Sequence, residues 1–171
     1  MCFIDLTDSP DLYDVPELLK KYPNLVVLKA FTKSFAIPGL RLGYMLCSDE
    51  AFMAAVSEKA PCWNVSIPAQ AAGCAALDCR KWLSDAVKAI GQERNLMTDA
   101  LCSMGIKVYP GEANFLLLYS DTDLYGRLLE KGILVRDCSN YKGLRKGFIR
   151  IAIRKPEEND QLLSAVREVL K

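Results

Sequence analysis

Lys33 and Arg41 stand eight residues apart in the stretch KAFTKSFAIPGLRLGY (29–44). The run LVVLKAF before them is apolar enough for a strand, and Thr32 places a hydroxyl beside the lysine. Pro38 and Gly39 turn the chain back into a second strand that carries Arg41. A lysine at a strand end beside Phe31, Phe35 and Ile37 is open to partial desolvation. Desolvation disfavours the charged amine and makes it a better nucleophile toward an aldehyde. Arg41 offers a planar fork to a phosphate. An amine for an aldehyde and a guanidinium for a phosphate is the pairing that pyridoxal phosphate requires. The same residues also suit an ordinary surface turn with two basic side chains, and spacing alone leaves both readings open.

Other chemistry is narrowed by what the sequence lacks. It contains no histidine, which removes Ser-His and Cys-His nucleophiles and the commonest metal ligand. The seven cysteines are odd in number and form no CxxC pair. Neither a disulfide framework nor a zinc site is expected; each cysteine reads as a small packed hydrophobe in a reducing, cytoplasmic setting. With 51% hydrophobic and 25% charged residues the chain suits a packed globular fold, and its net charge of +1 favours neither nucleic acid nor an anionic membrane. No apolar run reaches bilayer length, and MCFIDLTDSPDLYD does not read as a signal peptide.

The elements that must position these residues follow from periodicity. FIDL (3–6) reads as a buried strand, 14–22 as a helix with Pro16 in its first turn, 25–31 and 40–47 as strands, and 49–58 as a helix. A helix is expected from Pro68 to about Leu77. A long amphipathic one covers 82–104, with Trp82, Ala86, Ala89/Ile90, Leu96/Met97, Ala100/Leu101 and Met104 on its apolar face and Gly105 beyond its end. Strands at 106–109 and 115–119, a helix at 123–131 stopped by Gly132, strands at 133–136 and 148–154 and a helix from Pro156 complete the pattern. That last helix carries Leu162, Leu163, Val166, Val169 and Leu170 on one face. The natural seam falls near 80–105.

The ordered run Ala30-Phe31-Thr32-Lys33 with Arg41-Leu42-Gly43 resembles the lysine signature of class I/II aminotransferases, which are fold-type I enzymes dependent on pyridoxal phosphate (PLP). The resemblance implies that Lys33 forms the Schiff base and serves as general acid/base. It also implies that Arg41 holds the cofactor phosphate and that Thr32 supplies a hydroxyl where relatives carry Ser in place of Ala30. Independently, GILVRDCSNYKGLRKGFIRIAIRKPEEN (132–159) is similar to the histidinol-phosphate aminotransferase and threonine-phosphate decarboxylase branch. There the corresponding arginines, here Arg136 and Arg150, bind the substrate carboxylate or phosphate. Arg154 shares the face of Arg150 by period-two alternation and is a further candidate. Cys62-Trp63-Asn64-Val65-Ser66 echoes a PWNVS stretch of these relatives, with Trp63 read as packing.

The expected fold is therefore α/β, a fragment of a fold-type I PLP-dependent transferase. Residues 1–60 would close the large cofactor domain, 61–104 form a helical linker, and 105–171 form a small α+β C-terminal domain. In the family's DE-x-[YF] register Met1 stands at the Glu and Phe3 at the Tyr. The Asp that pairs with the pyridine nitrogen is expected before Met1, so the chain reads as incomplete. The implied reaction is transamination of an amino acid or amino-phosphate by a cytoplasmic homodimer. The alternatives are a PLP-dependent threonine-phosphate decarboxylase of cobalamin biosynthesis, or a non-catalytic domain serving dimerisation or substrate binding.

Overall fold

A computed structural model describes residues 3–13 and 15–171. The chain divides into two compact units, residues 1–85 and 86–171.

In the first unit, FIDL does not form the expected strand. Ile4–Leu6 is a 3-10 turn, closed by the Thr7 amide and hydroxyl donating to the Ile4 carbonyl at 3.0 and 2.7 Å. A strand needs a neighbour, and the only ladder of this unit among the described residues runs between two other segments. Asp5 accepts instead from Lys29 Nζ at 2.6 Å and Ser34 Oγ at 2.9 Å, pinning the turn across the unit. Met1, Cys2 and the expected helix start at Asp14 lie outside the described residues.

Helix α1 (Val15–Lys21) leads to strand β1 (Val27–Ala30), which pairs antiparallel with β2 (Gly43–Leu46). Both strands are shorter than expected, because Phe31 begins a single helical turn, α2 (Phe31–Ser34). Helix α3 (Glu50–Lys59) is capped by Asp49, whose carboxylate accepts from the Phe52 amide at 2.9 Å. Helix α4 (Ile67–Asp78) is capped by Ser66 and buries Ala69, Gly73 and Ala76, a face of small residues. Leu42 packs on it so closely that a Cβ at Gly73 would lie 2.6 Å from the leucine methyl.

Helix α5 (Arg80–Ser103) runs through the boundary between the units. Its inward face in the second unit is Met97 and Leu101 with Ile90, Ala100 and Met104. Trp82 and Leu96, expected on the apolar face, are half exposed or more. Arg94 is buried instead, donating to the Glu112 and Ala113 carbonyls at 2.7 and 3.3 Å. Those carbonyls satisfy the guanidinium where an apolar residue would otherwise be expected.

The second unit is a four-stranded antiparallel sheet in the order β3-β4-β6-β5, formed by β3 (Lys107–Tyr109), β4 (Phe115–Tyr119), β5 (Arg136–Asp137) and β6 (Phe148–Ala152). Alternation along β4 and β6 sends Leu116, Leu118, Ile149 and Ile151 to one face. They share a core with α6 (Leu124–Glu130) and with Leu162, Leu163, Val166 and Val169 of α7 (Pro156–Val169). The opposite face carries Lys107, Tyr109, Phe115, Leu117, Tyr119, Phe148, Arg150 and Arg136 by register.

Two strands start later than expected for one reason. Gly105 and Gly132 adopt φ of +79° and +76° after α5 and α6. The following amides, of Ile106 and Ile133, donate back to Leu101 and Leu128 at 3.1 and 2.9 Å. This helix-ending motif uses the donors that a strand would need. β5 consequently shrinks to Arg136–Asp137 from the expected 133–136.

The cysteines also depart from expectation. Cys138 is buried, but Cys62, Cys74, Cys79 and Cys102 are exposed, in helices or a loop whose core-facing positions other residues fill. Trp63, expected to pack, is 96% exposed with φ of +60°. No helix among the described residues is long and apolar enough to cross a membrane.

Candidate functional site

The β1–β2 connection holds Thr32, Lys33 and Arg41. Ala30 pairs with Gly43, and the Phe31 amide donates to the Leu42 carbonyl at 3.1 Å, so the two ends of the loop are tied together. Gly43 is required there, since a Cβ would stand 2.7 Å from the Lys29 carbonyl oxygen. Three non-glycine residues among those described have left-handed φ, and two of them, Ala36 (+54°) and Arg41 (+53°), belong to this loop. Such conformations cost about 1–3 kcal/mol each and collect at functional sites.

Lys33 does not sit at a strand end, as the sequence suggested, but in the α2 turn. Its side chain is exposed, so this chain by itself does not supply the expected desolvation. Its Nζ lies 5.7 Å from the Phe3 ring centroid and within ion-pair reach of no carboxylate among the described residues. The Thr32 hydroxyl makes no hydrogen bond among those residues, and Arg41 spends one N–H on the Pro38 carbonyl at 3.2 Å. An amine, a hydroxyl and most of a guanidinium thus remain available on one tied loop. As a donor set they fit an aldehyde that bears a phosphate.

The second constellation lies on the open face of the four-stranded sheet. Arg136 of β5 and Arg150 of β6 are direct cross-strand partners. Neither has a carboxylate at ion-pair distance among the described residues. The guanidinium of Arg150 stands 5.0 Å from the Phe115 ring centroid and that of Arg136 5.7 Å from Tyr141. Asp137, beside Arg136, is held below its ordinary carboxylate range chiefly by the amide and hydroxyl of Ser139. Burial pushes the Cys138 thiol up. Arg154 does not join the pair. β6 ends at Ala152, the Arg154 amide donates to Asn159 Oδ1 at 3.0 Å, and the guanidinium pairs with Glu158 at 2.6 Å.

Sequence reasoning did not single out Phe115, Tyr141 or Arg94. The alternation of FLLLY and IRI places Phe115 on one face of its own strand, but only the β4–β6 register brings it beside Arg150.

A sequence model described as aminotransferase class I and II matches residues 3–166. The chain belongs to this family. It is 43% identical over 156 residues to the threonine-phosphate decarboxylase of Salmonella typhimurium, covering 89% of this chain and 43% of the decarboxylase. The crystal structure of the histidinol-phosphate aminotransferase from Clostridium acetobutylicum superposes with a TM-score of 0.92 at 31% identity. That match covers 99% of this chain and 53% of the other. The Sinorhizobium meliloti histidinol-phosphate aminotransferase, solved in complex with pyridoxal-5'-phosphate, gives 0.78 at 25% identity over 86% of this family member and 41% of its own chain. The fold is thus that of the PLP-dependent aminotransferases, and the chain spans about half the length of the relatives it matches.

Proposed function

We propose that this chain is the C-terminal half of a PLP-dependent aminotransferase acting on an amino acid or amino-phosphate. In this reading Lys33 binds the cofactor, Thr32 and Arg41 hold its phosphate, and Arg136 and Arg150 receive the anionic end of the substrate. Residues 1–60 belong to the large cofactor domain, 61–104 link, and 105–171 form the small domain of a cytoplasmic homodimer. The observation that carries the reading is the unspent donor set of Lys33, Thr32 and Arg41 on one tied loop.

When bound, PLP supplies the electron sink for charge developing at the substrate Cα. With the cofactor bound, the Lys33 amine would move the proton at that Cα. Arg136 and Arg150 orient the substrate through charge-assisted hydrogen bonds.

The 43% identity to a threonine-phosphate decarboxylase favours a second reading, loss of CO2 from O-phosphothreonine on the same residues. One experiment addresses both. Borohydride reduction of the full-length protein with PLP is expected to fix a pyridoxyl group on Lys33 and on no other lysine. Incubation of the unreduced full-length protein and PLP with O-phosphothreonine separates release of CO2 from formation of a keto acid. Label on another lysine, with Lys33→Ala still binding PLP covalently, defeats the assignment. Absence of any visible cofactor band in the full-length protein would instead favour a non-catalytic domain.

A further inference from the structure

We propose that Phe115 and Tyr141 are positioning residues for an oxyanion taken between Arg136 and Arg150. Each ring lies against one guanidinium, and neither guanidinium spends a hydrogen bond on a described residue. The proposal rests on the reading of these arginines as anion-binding residues.

Two like charges placed directly opposite across a ladder repel. Arg136 and Arg150 occupy such a pair, and no carboxylate among the described residues stands within ion-pair distance of either, although the field of Arg136 reaches Asp137. Asp137 is the nearest carboxylate in sequence to Arg136. Successive strand residues point to opposite faces, and Asp137 is occupied by the Ser139 amide at 2.9 Å and hydroxyl at 2.8 Å. What accompanies each arginine instead is an aromatic ring.

The rings belong to different elements. β6 is flanked by β4 on one side and β5 on the other. Phe115 belongs to β4, opposite Ala152 and therefore on the Arg150 face, and its ring centroid is 5.0 Å from the guanidinium. Tyr141 lies in the turn after β5, 5.7 Å from Arg136. A cation over a ring face within about 6 Å is attracted by the ring's quadrupole. One guanidinium is thus held against a ring of β4 and the other against a ring of the turn, and neither is neutralised. Neither guanidinium donates a hydrogen bond to a described residue, so the N–H donors of both stay free for a ligand.

Phe115 is itself braced. Arg94, buried in α5, donates to the carbonyls of Glu112 and Ala113, just before β4 begins. Tyr141 is fixed by its amide donating to Cys138 at 3.1 Å and its carbonyl accepting from Leu144 at 3.0 Å. An ion-paired arginine would have to break that pair before it could take a ligand. A ring-held one does not.

The test uses the 171-residue chain labelled with nitrogen-15, inorganic phosphate as the probe, and constant ionic strength. The Nε–Hε signals of Arg136 and Arg150 are assigned from Arg136→Lys and Arg150→Lys spectra. Both signals are expected to shift together on one binding curve. Phe115→Leu and Tyr141→Leu should each weaken phosphate binding by about twofold to fivefold. Phe115→Trp and Tyr141→Phe should restore it. Tyr141 is 43% exposed, so its variants are expected to fold even if those of Phe115 do not, and urea midpoints verify this. If folded Tyr141→Leu and Phe115→Leu keep native affinity while Arg136→Ala and Arg150→Ala lose it, the positioning role is overturned and the arginine reading stands. If phosphate moves neither arginine signal in the unsubstituted chain, the arginine reading fails and takes the proposal with it.

Discussion

At the scale of single residues, the proposed function assigns the cofactor to one constellation and the substrate to the other. Arg41 sits in a strained left-handed conformation on the Lys33 loop, while Arg150 lies on a regular strand of the other unit. A charge-assisted hydrogen bond contributes about 1.5–3 kcal/mol. In the full-length protein, Arg150→Ala is expected to lower kcat/KM by roughly tenfold to a hundredfold and leave PLP affinity unchanged. Arg41→Ala is expected to loosen PLP first. PLP titration paired with steady-state kinetics on both variants checks this, and a swap of the two effects would show the roles exchanged. Exposure of Lys33 in this chain has a related meaning. Whatever desolvates its amine must come from groups other than the walls Phe31, Phe35 and Ile37.

Among the elements, the β1–β2 ladder has the tightest steric requirement. A methyl at Gly43 would meet the Lys29 carbonyl, which is backbone and cannot swing aside without separating the strands. Gly43→Ala is therefore expected to destabilise by about 1–3 kcal/mol, as overpacking does. Gly39, in the same connection, has open space where a methyl would stand, with no atom within 4 Å. Gly39→Ala should accordingly stay within about 0.5 kcal/mol. Urea midpoints of the two variants decide the matter; equal values would mean that the ladder tolerates a side chain at position 43.

For the molecule as a whole, acid sensitivity follows from three carboxylates of the second unit. Arg154 holds Glu158 below its ordinary range, Lys131 does the same to Glu168 at 2.5 Å, and Ser139 to Asp137. A carboxylate whose pKa is lower folded than unfolded contributes stability that is present above its ordinary pKa. That stability is lost as pH falls through the folded value. With ordinary values of 3.8 for Asp137 and 4.5 for the two glutamates, the loss begins below about pH 4.5. The urea midpoint should fall between about pH 7 and pH 3, and Glu158→Gln with Glu168→Gln should flatten that fall. An unchanged slope in the double variant would remove these pairs from the explanation.

Features decided within a few residues were legible in the sequence alone. The glycines ending α5 and α6 and the amphipathic face of α7 depend on groups close together along the chain. The placement of Thr32, Lys33 and Arg41 on one short connection was readable for the same reason. The tertiary structure alone decided what depends on distant partners. FIDL became a turn because Asp5 is claimed by Lys29 and Ser34, 24 and 29 residues away. Arg94 is buried because the carbonyls of Glu112 and Ala113, 18 and 19 residues on, accept hydrogen bonds from its guanidinium. Arg136 and Arg150 became neighbours, and Arg154 did not, through a strand register that no local pattern encodes. Periodicity tells which way a side chain faces along its own element; hydrogen-bond partners across elements determine what it meets there.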